Sequence, residues 1–155
     1  MTSRTPSPIR VAATYDVPSH RVFDAWLDPV FTAQWLFATA LQPAAPIEMN
    51  PQVAGRFCFL DQHCGAVTAW RGEYVDILPP RRLVFTLQLD GTDAATRVEV
   101  TIDECGDGCR LVVAHHGVPA HRAESLANRW TGLLYGLGTL LGADADPFTL
   151  AEHER

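Results

Sequence analysis

From Gly55 to His116 the apolar residues recur at every second position, and from Ala120 to Gly142 they recur once per helical turn of about 3.6 residues. That single change of period constrains the fold more than any other feature of the chain. Phe57 and Phe59 share one face. Val67, Ala69, Val75 and Ile77 form a run that also contains Arg71 and Glu73. Leu83, Phe85, Leu87 and Leu89 follow, then Val98, Val100 and Ile102, then Leu111, Val113 and His115. Turn sequences separate these runs: Leu78-Pro79-Pro80-Arg81, Gly91-Thr92-Asp93 and Gly106-Asp107-Gly108. Short turns between alternating runs predict hairpins, and hence an antiparallel sheet. Leu126, Trp130, Leu133, Leu134, Leu137, Leu140 and Leu141 then fall on one stripe roughly 120° wide, which predicts a long amphipathic helix.

The chain opens with one more alternating run, Ile9, Val11, Ala13 and Tyr15. Two short helices are predicted after it. Pro18 stands at the start of the first, which turns Val22, Phe23 and Trp26 inward; Asp28-Pro29 starts the second, with Phe31 and Trp35 as its buried side. Ile47 to Met49 is a short strand candidate. Residues 1–8 read as a disordered tail, 9–143 as one domain and 144–155 as an acidic, irregular tail. The economical arrangement is an α+β fold in which a curved antiparallel sheet wraps around the last helix, with the short helices closing one end. A wrap of this kind leaves room for a cavity between helix and sheet.

Composition excludes several classes of function. The chain carries 12 basic and 18 acidic side chains, a formal net charge of −6, and every basic residue is arginine. Such a surface disfavours nucleic acid and anionic membranes as partners. No apolar run approaches the roughly 20 residues that cross a bilayer, and the polar stretch Met1 to Pro8 does not resemble a secretory signal, so a cytoplasmic location is expected. Cys58, Cys64, Cys105 and Cys109 lack the spacing of structural zinc knuckles, and free thiols are expected. Cys105 and Cys109 flank a turn and are expected to face each other across a hairpin. No cofactor or metal is expected.

The polar residues admit two readings each. His115 points inward by alternation with Leu111 and Val113, as a hydrogen-bonded core histidine or as a polar anchor in the cavity; its neighbour His116 points outward, so the two cannot share an ion. Arg71 and Glu73 share a face with Val75 and Ile77, which puts them in the cavity unless a bulge near Gly72 reverses the phase. Glu73 is the better site candidate of the two. The candidate ligand-binding set is Trp35, Phe57, Phe59, Glu73, Phe85, Val100, His115, Trp130, Leu134 and Leu137. Gly132, Gly136 and Thr139 form a small-residue patch on the outer side of the helix. It suits packing against a second subunit, and an Ala-rich composition accounts for it equally well.

Several segments resemble one known family. Residues 17–29, Val-Pro-Ser-His-Arg-Val-Phe-Asp-Ala-Trp-Leu-Asp-Pro, are similar to the opening of the bacterial AHSA1-like proteins (homologues of the activator of Hsp90 ATPase), and Trp35 fits the tryptophan that closes it. The stretch from Gly72 to Thr86 resembles the central hairpin of that family, Gly108 to Leu111 with His115-His116-Gly117 its late hairpin, and Trp130 its last helix. The resemblance implies the helix-grip fold of the START superfamily (SRPBCC, Bet v 1-like). Leu36-Phe37-Ala38, Cys109 and Arg129 depart from the family pattern, so it implies a fold and no particular ligand. The separate N-terminal domain of the eukaryotic co-chaperone has no counterpart in these 155 residues, and an Hsp90-related activity is not carried over. Three functions remain: a non-catalytic module binding a small apolar molecule, a chaperone-associated interaction protein, and a cyclase or hydratase using Glu73 or His115.

Overall fold

The computed structural model describes residues 8–35, 47–63, 66–88, 95–142 and 146–148. The expected tail at 1–8 thus lies outside the described residues except for Pro8, and so does most of the tail at 144–155. Strand β1 (Ile9–Tyr15) leads into helices α1 (Ser19–Leu27) and α2 (Pro29–Trp35). Strands β2 (Ile47–Met49), β3 (Arg56–His63), β4 (Ala66–Leu78), β5 (Arg82–Gln88), β6 (Ala95–Cys105) and β7 (Gly108–His116) follow. Helix α3 (Ala120–Leu141) and a last strand, β8 (Asp146–Phe148), complete the order. All pairs are antiparallel, and the strand order is β2-β3-β4-β5-β6-β7-β1-β8.

Strand β8 corrects the reading of an irregular acidic tail: Asp146 to Phe148 pair with Thr14 to Ala12 and cover the outer edge of β1. Its sequence, Asp-Pro-Phe, has no alternation to betray it, and an edge strand tolerates proline because one row of its N–H groups needs no partner.

The helix stripe packs on the inward face of the sheet. Leu126, Trp130, Leu133, Leu134, Leu137 and Leu141 are buried together with Val11, Tyr15, Leu83, Phe85, Val98, Val100, Leu111 and Val113. A buried hydrogen bond seats the helix. The Tyr15 hydroxyl donates to the Leu134 carbonyl at 2.7 Å, deep in the core, where burial holds the phenol protonated well above its usual range. The helix ends at Gly142, whose φ of 69° is the left-handed cap that glycine adopts without strain.

Helix α2 starts as its sequence predicts, with the Val30 N–H on Asp28 Oδ1 at 2.9 Å. Its buried side is different. Thr32 and Trp35 face inward, whereas Phe31 is 37% exposed. A seven-residue helix buries one pair at i, i+3, and Thr32 satisfies its hydroxyl on the Asp28 carbonyl, which makes its burial cheap.

Strand β4 contains the main departure. Trp70 and Tyr74 are the buried residues, and the register with β5 shifts between Tyr74 and Asp76. The bulge lies three residues beyond Gly72: Val75 still points outward in phase with Arg71 and Glu73, and the reversal after it turns Ile77 against the core. Arg71 and Glu73 precede the bulge in the opposite phase to Trp70 and Tyr74, and both are exposed on the convex face. Gly72 has a separate duty. It lies opposite Phe57, whose ring crosses it, so that a Cβ there would collide with that ring and with the Thr86 carbonyl.

The expected opposition of Cys105 and Cys109 is also corrected. Cys109 pairs with Glu104 and Cys105 with Gly108; Cys109 is buried, Cys105 is exposed, and both are free thiols, as is Cys58. The turn holds two residues, so its flanking pair is 105 and 108. Cys64 lies outside the described residues.

Candidate functional site

Between α3 and the sheet the side chains form a continuous aromatic assembly. Helix α1 projects Trp26 into its centre, because the i, i+1, i+4 triplet Val22, Phe23, Trp26 is the apolar side of that helix and all three are buried. The Trp26 ring centre lies 4.7 Å from that of Trp35 in an edge-to-face contact, 6.3 Å from Phe85 and 6.1 Å from Trp130. Trp26 therefore occupies the space between the helix tryptophan and strand β5. Phe57 lies 5.5 Å from Phe85 and 5.2 Å from Tyr74, extending the assembly across β3 and β4. Edge-to-face and tilted ring pairs at these separations each add about 0.5–1.5 kcal/mol beyond simple burial.

Of the candidate residues, the structure brings Trp35, Phe57, Phe85, Val100, His115, Trp130, Leu134 and Leu137 into this one interior. Glu73 is not among them, since the bulge follows it and leaves it on the opposite face. Phe59 lies on β3 opposite Trp70, and its side chain is outside the described residues. Trp26, Trp70 and Tyr74 were missing from the set. For Trp26 the α1 periodicity marks a core position; for Trp70 and Tyr74 only the placement of the bulge reveals the inward phase.

Three of the interior polar groups satisfy one another. Trp130 Nε1 donates to His115 Nδ1 at 3.1 Å, so His115 carries its proton on Nε2. That nitrogen lies 2.7 Å from Thr96 Oγ1, and the Thr96 hydroxyl donates to the Leu87 carbonyl at 2.6 Å. The relay uses every atom once and ties α3 to β5, β6 and β7. Burial, reinforced by the neighbouring His116, lowers the His115 pKa to about 4. A neutral imidazole with both nitrogens engaged is not free to act as a base, and Glu73 lies on the other face of the sheet. The two residues proposed for acid–base work do not converge.

Two interior features are unusual. Trp26 Nε1 is wholly buried and finds no hydrogen-bond acceptor among the described residues. Arg129, one of the departures from the family pattern, reaches from α3 over the Trp70 ring at 5.3 Å, a cation–π contact that spans from helix to sheet. On the outer side of α3, a Cβ at Gly132 or Gly136 would meet nothing within 4 Å. No group of three or more His, Cys, Asp and Glu side chains suited to a metal occurs among the described residues. No described helix is long and apolar enough to cross a membrane.

A curved antiparallel sheet gripping a long C-terminal helix, with two short helices behind the first strand, is the helix-grip architecture of START-like proteins. Residues 16–142 match the family described as activator of Hsp90 ATPase homolog 1-like protein, and the chain belongs to that family. Solved structures agree on the fold. A Chromobacterium violaceum protein is 24% identical, covers 90% of this chain and 100% of its own, and superposes with a TM-score of 0.73. CalU16 from Micromonospora echinospora is 23% identical over 86% of this chain and 75% of its own, with a TM-score of 0.68. An Hsp90 activator from Plasmodium falciparum is 20% identical over 91% of this chain and 100% of its own, with a TM-score of 0.73. A search of curated protein sequences finds no significant match.

Proposed function

We propose that the protein is a non-catalytic, cytoplasmic binding module that takes a small, largely apolar molecule between the sheet and the last helix. The observation that carries this reading is the Trp26 indole N–H, buried at the centre of the aromatic assembly with no acceptor among the described residues. An unpaired buried donor costs about 1–3 kcal/mol, which a guest bearing one acceptor recovers on binding. The surrounding wall of Trp35, Phe57, Phe85 and Trp130 suits flat or apolar bodies, and Arg129 adds a cation near its rim.

The test is native mass spectrometry and thermal-shift screening against fatty acids, aromatic acids and polyketides. A one-to-one adduct with a raised melting temperature is expected, weakened in Trp26→Phe, which keeps an aromatic though smaller ring and loses the donor. Absence of adduct and shift across the panel overturns the reading. Equal binding by Trp26→Phe removes Trp26 from it.

A second reading, a chaperone-associated interaction protein, is supported by the fold shared with the Plasmodium Hsp90 activator and by Val30, 67% exposed beside Phe31 on α2. It requires a change in Hsp90 ATPase rate on addition of the protein, diminished in Val30→Ser. An unchanged rate eliminates it.

A further inference from the structure

The convex face of the sheet holds a depression of about 450 Å³ that the interior reading leaves unused. The pairing register lays out its walls as a grid. Arg56 on β3 lies opposite Glu73 on β4, and Cys58 lies opposite Arg71, which in turn lies opposite Gln88 on β5. Small residues, Cys58 and Ala95, stand beside the long arginine side chains and leave the space between them open. Gly72 contributes no side chain to the floor.

Two arginines elsewhere on this face are ion-paired, whereas Arg10 and Arg110 make no ion pair among the described residues. Arg82 lies 3.7 Å from Glu99 and 3.8 Å from Asp76, and Arg97 lies 3.3 Å from Glu99. Arg56 and Arg71 make no ion pair among the described residues, although Glu73 is the cross-strand neighbour of Arg56. In a chain of net charge −6, two guanidinium groups on adjacent strands, neither in an ion pair among the described residues, outnumber the single Glu73 carboxylate beside them and form a local positive centre. Guanidinium forks match carboxylate and phosphate oxygens in geometry. The Thr86 hydroxyl accepts the Glu73 N–H at 3.0 Å, which fixes its oxygen and leaves its own hydrogen to donate. Glu73 supplies an acceptor at the other side of the depression.

We propose that this depression is a second binding site, for a small molecule that carries a carboxylate or phosphate group and at least one hydroxyl or ammonium. Arg56 and Arg71 hold the anionic group, Thr86 adds a donor, and Glu73 receives the hydroxyl or ammonium. The site opens on the opposite face from the proposed apolar guest, and Phe57, seen past Gly72, is the one wall residue the two share.

The experiment is a titration of the isotope-labelled full chain, followed by backbone amide signals, with sodium citrate and with sodium phosphate against sodium chloride at matched ionic strength. Saturable shifts centred on Arg71, Gly72, Glu73 and Thr86 are expected. Citrate alone producing them identifies a carboxylate site, and phosphate alone a phosphate site. Arg71→Gln is expected to weaken binding at least tenfold, whereas Arg110→Gln, exposed on the same face outside the depression, leaves it unchanged. These side chains are solvent-exposed, so both variants are expected to fold, as their spectra will verify. Shifts that match sodium chloride, or that persist equally in Arg71→Gln, overturn the proposal.

Discussion

Trp130 Nε1 donates to His115 Nδ1 at 3.1 Å, and this contact decides the protonation state of the histidine as well as the seating of the last helix. A proton on Nδ1 would set two donors against each other, so the folded protein resists protonation and the unfolded chain does not. The His115 pKa falls from 6.5 to about 4 on folding, with burial as the main cause and His116 as the second. The neutral form's contribution is complete above pH 6.5, is lost progressively as pH falls toward 4, and levels off below that. It amounts to about 3 kcal/mol. Urea unfolding at pH 7.5 and pH 4.5 should show this loss in the wild type and a smaller one in His115→Gln; equal losses would show that other groups govern the acid limb.

The Tyr15–Leu134 hydrogen bond joins the first strand to the middle of α3. Tyr15→Phe keeps the ring and removes one buried bond, and a loss of about 1 kcal/mol is expected. Hydrogen exchange should quicken around Leu134 and Gly138 more than in β6 or β7. Uniform acceleration would mean that the hydroxyl serves global stability only.

Gly72→Ala places a methyl group against the Phe57 ring and the Thr86 carbonyl. Overpacking of this kind costs about 1–3 kcal/mol, and the melting temperature should fall by about 3–10 °C. Phe57→Leu in the same chain should recover part of the loss. An unaltered melting temperature for Gly72→Ala would contradict the crossing of Phe57 over this position.

Thiol reactivity should divide the hairpin cysteines. Cys105 is exposed and Cys109 is buried, with burial, and after it the nearby Glu104, raising the Cys109 thiol to about 11. Alkylation of the native protein at pH 8, read by peptide mass spectrometry, should label Cys105 and spare Cys109 until denaturant is added. A Cys105–Cys109 disulfide recovered from the native protein would contradict the register.

Much of the fold is legible in the residue pattern because alternation and helical period are local. The inward series Leu83-Phe85-Leu87, Val98-Val100-Ile102 and Leu111-Val113-His115 follows from alternation alone, as does the stripe of α3. Family segments such as the Val17-to-Pro29 opening carried the rest of the fold assignment. Strand β4 escaped because its phase reverses at Val75, and nothing local distinguishes a bulge there from one at Gly72. Phe31 escaped because a short helix turns toward whichever neighbour packs best, and here Thr32 and Trp35 do.

What the sequence alone determined is the order of elements, the antiparallel sheet, the face that α3 buries and the inward direction of His115, since each depends on the spacing of residues within one segment. Only the tertiary structure decided that Trp26 enters between Phe85 and Trp130, that His115 takes Trp130 and Thr96 as partners, and that Glu73 and Arg71 line the opposite face. Those outcomes depend on how separate segments dock and on where one extra strand residue is accommodated, and both are settled by packing between neighbours distant in the chain.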